Sequence, residues 1–288
     1  MKIKEKIKNF LPANLLSIWR FLMSCKRKAN RFVNFGIMPF YKFISVDGVS
    51  FLIKLHPYKN CCVDDVIART GVWESDIVAN IRNNLKPNSV FIDIGANIGY
   101  HTLFAASLYN RSVNVYAFEP IKRLYLSVKD SISKNSFKNI VLENYALSNI
   151  EGFATINIPK ENAGGSSLIS GLSHHVGVLD KEVIKLCKLD SYIQKFDRVD
   201  LIKIDVEGLE FEVLDGGREL ISKFKPKILM EFSPCLYKHN ESDSTQKIIE
   251  FLREYGYVTY LLDGSRVDLN VWVNTYKGEM PQVDVLCV

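Results

Sequence analysis

The sequence predicts an α/β fold with a mostly parallel, doubly wound sheet of seven strands. Apolar runs of strand length recur through the last two-thirds of the chain, and helical patterns separate most of them. Because these runs are apolar throughout rather than alternating, each strand is expected to be buried on both faces, as in parallel sheets covered by helices. The strand candidates are residues 90–95, 113–119, 140–147, 200–206, 227–232 and 257–262, together with the final VDVLCV.

Local signals predict the elements between and before these strands. The spacing of apolar residues predicts helices, which are expected at 98–109, 121–134, 209–223 and 243–255. Ahead of the sheet, residues 43–56 predict a hairpin that turns at Asp47-Gly48. Residues 72–85 predict a further helix.

These elements divide the chain into three parts: a basic appendage (residues 1–40), a lead-in with the hairpin and one helix (41–86), and a main domain (87–288). Residues 1–31 hold nine Lys or Arg and one acid, so the rest of the chain is slightly negative although the whole carries +5. A general nucleic-acid binder more often spreads positive charge over its domain. No nucleic-acid partner is therefore expected.

The appendage contains an amphipathic segment, FLPANLLSIWRFLM, at residues 10–23. The run is too short to span a bilayer, Arg20 interrupts it, and no signal-peptide cleavage pattern follows. Such a helix more often docks on protein; the alternative is peripheral contact of residues 1–31 with the anionic inner face of a membrane. The six cysteines lack metal-ligand spacing, which favours reduced thiols in a cytoplasmic protein.

The turn after the first core strand, FIDIGANIG, indicates a ligand site. Asp93 ends the strand, and Gly95, Ala96, Asn97 and Gly99 lead into a helix, but the spacing is not that of a dinucleotide loop. A carboxylate there repels phosphate and attracts a cation. A ribose-containing ligand with a positive end and no phosphate satisfies both conditions, so we expect S-adenosylmethionine. The glycines are expected to admit that ligand, Asp93 to attract its ammonium, and Asn97 to cap the helix or contact the ligand.

The next two strand ends are expected to hold the rest of this cofactor. Glu119, followed by Pro120, ends an apolar strand about twenty residues after the glycine turn, where an acid can accept hydrogen bonds from ribose hydroxyls. In ENYALS, Asn144 is expected at the adenine edge, with Ala146 and Leu147 offering backbone amides and an apolar wall. Between residues 159 and 177 a long polar loop follows, which we expect to cover the site.

Several blocks together resemble one known family. FIDIGANIGYHTL, AFEP, NYALSN, LIKIDVEGLEFEVLDGG and KPKILMEF, in this order, are similar to the FkbM family of S-adenosylmethionine-dependent methyltransferases. The resemblance covers about residues 72–231 and leaves the appendage unexplained. It implies a class I Rossmann-like methyltransferase fold for the main domain and O-methylation of hydroxyls on sugars or polyketide-type natural products.

The charged end of the fourth strand is the expected catalytic site. In LIKIDVEG, Lys203, Asp205 and Glu207 recur at period two, which places them on one face of the sheet. A sugar hydroxyl is a poor nucleophile, so a positioned base helps its methylation. Asp205 is the first candidate for the base or for a cofactor-side carboxylate, Glu207 the second, and Lys203 is expected to orient the carboxylate. Glu231, ending the next strand, is expected beside them.

Three histidines and a metal ion are further candidates for a catalytic role. His101 lies in the first helix, where a histidine is more often a packing residue, and His174 and His175 lie in the covering loop. Two neighbouring carboxylates also leave Mg²⁺ as an alternative, although no spacing requires a metal.

Four other functions are alternatives to O-methylation. A methyltransferase acting on nucleic-acid bases is disfavoured, because DVEG stands where its Pro-Pro element is expected, and Asp93 disfavours a dehydrogenase. A ribose methyltransferase acting on RNA is harder to exclude, because Lys203, Asp205 and Glu231 resemble its catalytic set. A catalytically silent cofactor-binding scaffold is the fourth alternative. The expected partner is a small-molecule or glycan acceptor, and no motif identifies which one.

Overall fold

The computed structural model of the protein describes residues 39–56, 62–159, 178–237, 244–275 and 282–288. The appendage apart from its last two residues, with its membrane alternative, lies outside these ranges. So do His174 and His175 and nearly all of the covering loop. Within the described ranges, no helix is long and apolar enough to cross a bilayer.

A seven-stranded sheet forms the centre of the main domain. The strands of the described residues are β1 (Phe40–Val46), β2 (Val49–Leu55), β3 (Val90–Ile94), β4 (Asn114–Phe118), β5 (Ile140–Glu143), β6 (Ala146–Leu147), β7 (Gly152–Pro159), β8 (Val178–Cys187), β9 (Leu201–Ile204), β10 (Lys227–Phe232), β11 (Thr259–Leu261) and β12 (Val283–Cys287). The central order is β11-β12-β10-β9-β3-β4-β5. Only β12 runs against the other six strands of this sheet. The predicted mostly parallel sheet is confirmed.

Helices cover both faces of this sheet. They are α1 (Cys62–Thr70), α2 (Ser75–Asn84), α3 (Tyr100–Ser107), α4 (Lys122–Asn135), α5 (Glu210–Asp215), α6 (Arg218–Phe224), α7 (Pro234–Tyr237), α8 (Ser244–Glu254) and α9 (Leu269–Thr275), with 3₁₀ turns at Leu108–Arg111 and Leu189–Lys195. Successive strand residues face opposite cores: Phe91 and Leu201 pack on the side of α3, and Ile92 and Ile202 on the side of α5, α6 and α8. The strands are therefore buried on both faces, as their apolar runs predict.

The lead-in packs directly on the main domain. Strands β1 and β2 form the predicted hairpin, and Asp47 and Gly48 both adopt the positive φ that a two-residue hairpin turn requires. Asn135 on α4 fixes the edge of β2, because its side-chain oxygen accepts from the Leu52 N–H and its amide donates to the Leu52 carbonyl. Apolar residues of the hairpin join the core on the α3 side of the sheet.

Two predicted elements are divided, and other elements were not predicted. The predicted strand 140–147 splits into β5 and β6, because β6 leaves the main sheet and pairs with β8 in a second sheet of order β6-β8-β7. The predicted helix 209–223 splits at Gly216-Gly217, and a Cβ on Gly216 would lie 2.0 Å from the Ser148 carbonyl oxygen. The sequence patterns did not predict the helices α1, α7 and α9 or the strand β8.

Candidate active site

A cavity opens at the carboxyl ends of β3, β4, β9 and β10, where ligands bind in open α/β sheets. It encloses about 1150 Å³ including its open mouth. Nine of the residues predicted for the site line it: Gly95, Asn97, Glu119, Pro120, Ala146, Leu147, Asp205, Glu207 and Glu231. The cavity thus brings together residues expected for the cofactor and residues expected for catalysis.

The glycine turn after β3 is shaped by the protein itself. A Cβ on Gly95 would lie 1.9 Å from the Asp205 carbonyl oxygen, and one on Gly99 would lie 2.9 Å from the Val128 side chain. Neighbouring protein therefore requires a glycine at each of these two positions, because it occupies the space that a side chain would fill. The amides of Gly95 and Ala96 both donate to the Phe118 carbonyl, 3.0 Å away, so Ala96 braces the turn from inside.

Asp93 does not lie at the mouth of the cavity, contrary to expectation. Its side chain is buried, and its Oδ2 accepts a 2.5 Å hydrogen bond from the Thr102 hydroxyl of α3. Burial raises the pKa of Asp93, although nearby Lys203 and the bond from Thr102 oppose the rise. Asp93 thus supports the floor of the site and does not itself line it.

Asn97 faces the cavity with an unused acceptor. The N-cap of α3 is Gly99, so Asn97 does not cap the helix. Its backbone φ is 53°, and its side-chain Oδ1 is buried without a hydrogen-bond partner among the described residues. A buried polar atom left in this state is costly, which makes a ligand donor the natural partner for it.

Glu119 ties two loops together at the edge of the cavity. Its Oε2 accepts from the Asn97 N–H and its Oε1 from the Ile121 N–H, both at 2.8 Å. Burial raises the pKa of Glu119 to about 8, against the lowering effect of these two bonds. Asn144 does not line the cavity; its amide donates to the Glu119 and Pro120 carbonyls, so it orients the strand end rather than an adenine edge.

Lys203 and Asp205 form an ion pair below the opposite end of the cavity. The Nζ of Lys203 donates to Asp205 Oδ2 over 2.9 Å, and Lys203 is buried whereas Asp205 lines the cavity. Burial acts to lower the pKa of Lys203, but Asp205, Asp93 and Glu74 together raise it above its ordinary value. Lys203 therefore stays charged and holds the Asp205 carboxylate in place.

Three further carboxyl groups share this end of the cavity, and burial raises the pKa of each. Burial and the charge of Asp205 raise the pKa of Glu207 to about 8 and that of Glu231 to about 9. Glu231 Oε2 is buried without a hydrogen-bond partner among the described residues. Burial also raises the pKa of Glu74 to about 7, with Lys203 opposing and Asp205 adding to the rise.

The sequence patterns missed Trp73, Glu74 and Tyr145, which all line the cavity. Trp73 and Glu74 fall inside the predicted helix 72–85, but α2 begins at Ser75 and Glu74 adopts a left-handed φ of 45°. The polar pair Ser75-Asp76 was the available signal for a later helix start. Tyr145 stands between β5 and β6, where one continuous strand was expected.

The described residues offer no group of three or more His, Cys, Asp or Glu that could hold a metal ion. The side chains present do suit a cationic, hydroxyl-bearing ligand. Carboxyl groups line both ends of the cavity, and Asn97, which also lines it, has a buried Oδ1 without a hydrogen-bond partner among the described residues.

The family model of the methyltransferase FkbM domain matches residues 93–259. The chain belongs to the FkbM methyltransferase family. The match begins near the end of β3 and stops at the first residue of β11, so it excludes the lead-in with Trp73 and Glu74.

Individual relatives of this FkbM chain are distant. The hexuronic acid methyltransferase AglP of Haloferax volcanii is 27% identical over 148 residues, which are 50% of this chain and 56% of AglP. Methyltransferase sdnD of Sordaria araneosa is 27% identical over 168 residues, 47% of this chain and 63% of sdnD. The chain thus covers less than two-thirds of either relative. The crystal structure of an FkbM methyltransferase from Methylobacillus flagellatus KT is 18% identical, with a TM-score of 0.44, over 81% of this chain and 48% of the other.

Proposed function

We propose that this protein is an S-adenosylmethionine-dependent methyltransferase that O-methylates a hydroxyl of a sugar, glycan or natural product. The observation that carries the proposal is one continuous cavity at the carboxyl ends of the strands, bordered by Glu119 at one end and by Asp205, Glu207 and Glu231 at the other. Membership of the FkbM family and the name of AglP, a hexuronic acid methyltransferase, support methyl transfer and a sugar acceptor.

The end of the cavity near Glu119 suits the nucleoside of the donor. The Glu119 carboxylate, already fixed by two backbone N–H groups, keeps lone pairs for the ribose hydroxyls. Tyr145, Ala146 and Leu147 offer an apolar and aromatic wall for the adenine. When bound, S-adenosylmethionine supplies a methyl group on a sulfonium that is already activated, so alignment of the acceptor oxygen contributes much of the rate.

At pH 9, above the Glu119 pKa of about 8, replacing Glu119 with Gln is expected to weaken binding of S-adenosylmethionine about 10- to 100-fold, because charged hydrogen bonds to the ribose are worth roughly 1.5–3 kcal/mol. Isothermal titration calorimetry measures the change. Glu143→Gln is the matched control, since Glu143 ends the neighbouring strand β5 and does not line the cavity. Equal weakening in both variants, or none in Glu119→Gln, contradicts the ribose assignment; thermal unfolding of each variant separates binding from folding.

The opposite end of the cavity favours an uncharged acceptor. Glu74, Asp205, Glu207 and Glu231 line it, and Lys203 is buried beneath and already paired. At an effective dielectric constant near 20, a like charge about 4 Å away costs about 4 kcal/mol, and screening reduces this. A hydroxyl-bearing neutral sugar avoids that repulsion.

We therefore expect kcat/KM to be at least about tenfold higher for a neutral sugar than for its uronic acid counterpart. The methyl glycosides of glucose and of glucuronic acid form a matched pair. The ratio is expected to grow between pH 7 and pH 9, because Glu207 and Glu231, with pKa values of about 8 and about 9, lose protons over that range. A higher rate on the uronic acid contradicts this preference.

One experiment separates the proposed function from its alternatives. The full chain is incubated with S-adenosylmethionine carrying a labelled methyl group and with panels of sugars, lipid-linked sugars and short RNA, and products are identified by mass spectrometry. Label in a sugar hydroxyl supports the proposal, and label in RNA ribose supports the alternative of an RNA methyltransferase. Donor binding without transfer to any acceptor points to a catalytically silent protein, and absence of donor binding removes the cofactor assignment.

The lead-in and the main domain have separate roles in the proposed function. We propose that the main domain (87–288) binds the donor and that the lead-in (41–86) completes the acceptor end through Trp73 and Glu74. The two parts share one hydrophobic core, so we treat them as one functional unit.

A further inference from the structure

We propose that Glu74 is the general base that takes the proton from the acceptor hydroxyl, and that His101 is a positioning residue that holds the Glu74 carboxyl in the cavity. The inference rests on the proposed function and deepens it. It assigns the base to the lead-in, outside the residues matched by the family model.

The backbone at Glu74 directs its side chain into the cavity. Glu74 immediately precedes α2 and has a φ of 45°, a conformation that residues other than glycine seldom adopt. Such strain persists where the surrounding structure imposes it, and it is concentrated at functional sites. The Glu74 side chain is 36% exposed, and it lines the cavity beside Trp73, whose side chain bonds to it. The carboxyl is thus both reachable by a substrate and held in place.

His101 faces Glu74 from the protein interior. It lies on α3, its side chain is 7% exposed, and its Nε2 lacks a hydrogen-bond partner among the described residues while standing 3.6 Å from Glu74 Oε2. Burial, with the charge of Lys203, lowers the pKa of His101 well below its ordinary value, so the imidazole is neutral. A neutral imidazole donates to the carboxylate or accepts from the carboxylic acid, depending on its tautomer, and suits both protonation states of Glu74.

The other carboxyl groups at this end are less suited to accept a proton. Asp205 already accepts a charged hydrogen bond from Lys203, and protonating it would disrupt a largely buried ion pair. Glu207 and Glu231 carry protons at neutral pH, because burial and Asp205 raise their pKa values to about 8 and about 9. Glu74, with a pKa of about 7, is divided between its two forms where a general base is most effective.

The step balances as an in-line displacement. A lone pair of the acceptor oxygen forms the bond to the methyl carbon, the carbon–sulfur bond of the sulfonium donor breaks with its electrons on sulfur, and the hydroxyl proton moves to the Glu74 carboxylate. The groups that face Glu74 from neighbouring elements are His101 on α3, Asp284 on β12, and Lys203, Asp205 and Glu207 in and after β9. Since the base must be ionised, kcat is expected to rise with pH through about 7.

The test compares Glu74→Gln with the wild-type chain and with Asp76→Asn, an exposed acid in the first turn of the same helix. We expect Glu74→Gln to lower kcat about 10²- to 10⁴-fold and to abolish the rise of kcat through pH 7, with donor affinity by calorimetry within threefold of wild type. Asp76→Asn is expected to leave kcat, its pH profile and the donor affinity unchanged. His101→Asn is expected to lower kcat less than Glu74→Gln does and to shift the pH profile of kcat.

A second readout needs neither donor nor acceptor. Because the Trp73 side chain bonds to the Glu74 carboxyl, the tryptophan fluorescence of the unliganded protein is expected to titrate near pH 7. That transition should disappear in Glu74→Gln and in Trp73→Phe and persist in Asp76→Asn.

The outcomes distinguish this assignment from the proposed function. A wild-type chain that transfers methyl groups while Glu74→Gln keeps kcat within threefold and keeps the pH profile overturns the assignment of the base alone. A wild-type chain that binds the donor and methylates nothing overturns the proposed function and the assignment with it. An unchanged pH profile in His101→Asn removes the positioning role of His101.

Discussion

Replacing Gly95 with Ala is expected to lower the free energy of unfolding by about 3 kcal/mol or more, combining overpacking with a disfavoured backbone conformation. The added methyl would lie 1.9 Å from the Asp205 carbonyl oxygen, a backbone atom that cannot relieve the clash by a change of side-chain rotamer. Gly95 also has a φ of +81°, which costs a residue with a Cβ about 1–2 kcal/mol. Because the Asp205 amide also bonds to the Ile94 carbonyl, any shift is expected to displace Asp205.

Gly256→Ala is the matched control for this substitution. Gly256 has a similar φ of +76°, but a Cβ there would meet nothing within 4 Å, so only the backbone term of about 1 kcal/mol applies. At about 2–4 °C per kcal/mol, the melting temperature should fall by about 6–12 °C for Gly95→Ala and by about 2–4 °C for the control. Equal losses in urea or thermal unfolding would show that the contact with Asp205 carries no cost.

Replacing Lys203 with Met is expected to destabilise the protein by about 3–5 kcal/mol at pH 7–8, because it leaves buried carboxylates without their cation. Lys203 is buried and donates to Asp205 at 2.9 Å, and its charge also opposes the rise in the pKa of Asp93. Lys54→Met is the matched control. Lys54 pairs with Asp130 at the surface, where an ion pair is worth at most about 1 kcal/mol.

The pH dependence of this loss has a definite sign. The pKa of Lys203 is raised on folding, so its contribution to stability is present below its unfolded pKa and is lost as the pH rises through the folded value. Without Lys203, ionised Asp93 destabilises the folded state, and its protonation relieves this as the pH falls. The difference in unfolding free energy between wild type and variant should therefore shrink on acidification. A constant difference from pH 8 to pH 4 contradicts the role of Lys203 as a counterion.

The main sheet was predictable from the sequence because its strands are continuous apolar runs bounded by helical patterns. The second sheet was not, since β6 has two residues and obtains its partner from β8, which lies beyond a long polar loop in sequence. The division of helix 209–223 escaped prediction for a similar reason. Gly216 is required by close contact with the Ser148 carbonyl, which no local pattern reveals.

Many residues predicted for the candidate site line one cavity, but the directions of individual side chains were not predictable. Strand ends such as Glu119 and Asp205 line the cavity because parallel strands finish at one edge of the sheet. The direction of individual side chains there depends on packing, so Asp93 points to Thr102, and Asn144 points to the backbone of its neighbours. The sequence could not predict Glu74 as a site residue, because its place in the cavity depends on how a segment that precedes the main sheet packs against it.

The position of Trp73 and Glu74 ahead of the family-matched region gives this architecture a particular capacity for evolutionary change. The end of the cavity that we propose for the nucleoside is lined by β4, β6 and the residues beside them, whereas part of the opposite wall comes from a separate stretch of chain. Substitutions at Trp73 can alter which alcohol is accepted while Glu74, Glu119 and Leu147 stay unchanged. Selection for new acceptors can thus act on a short N-terminal stretch without rebuilding the machinery that all of those reactions share.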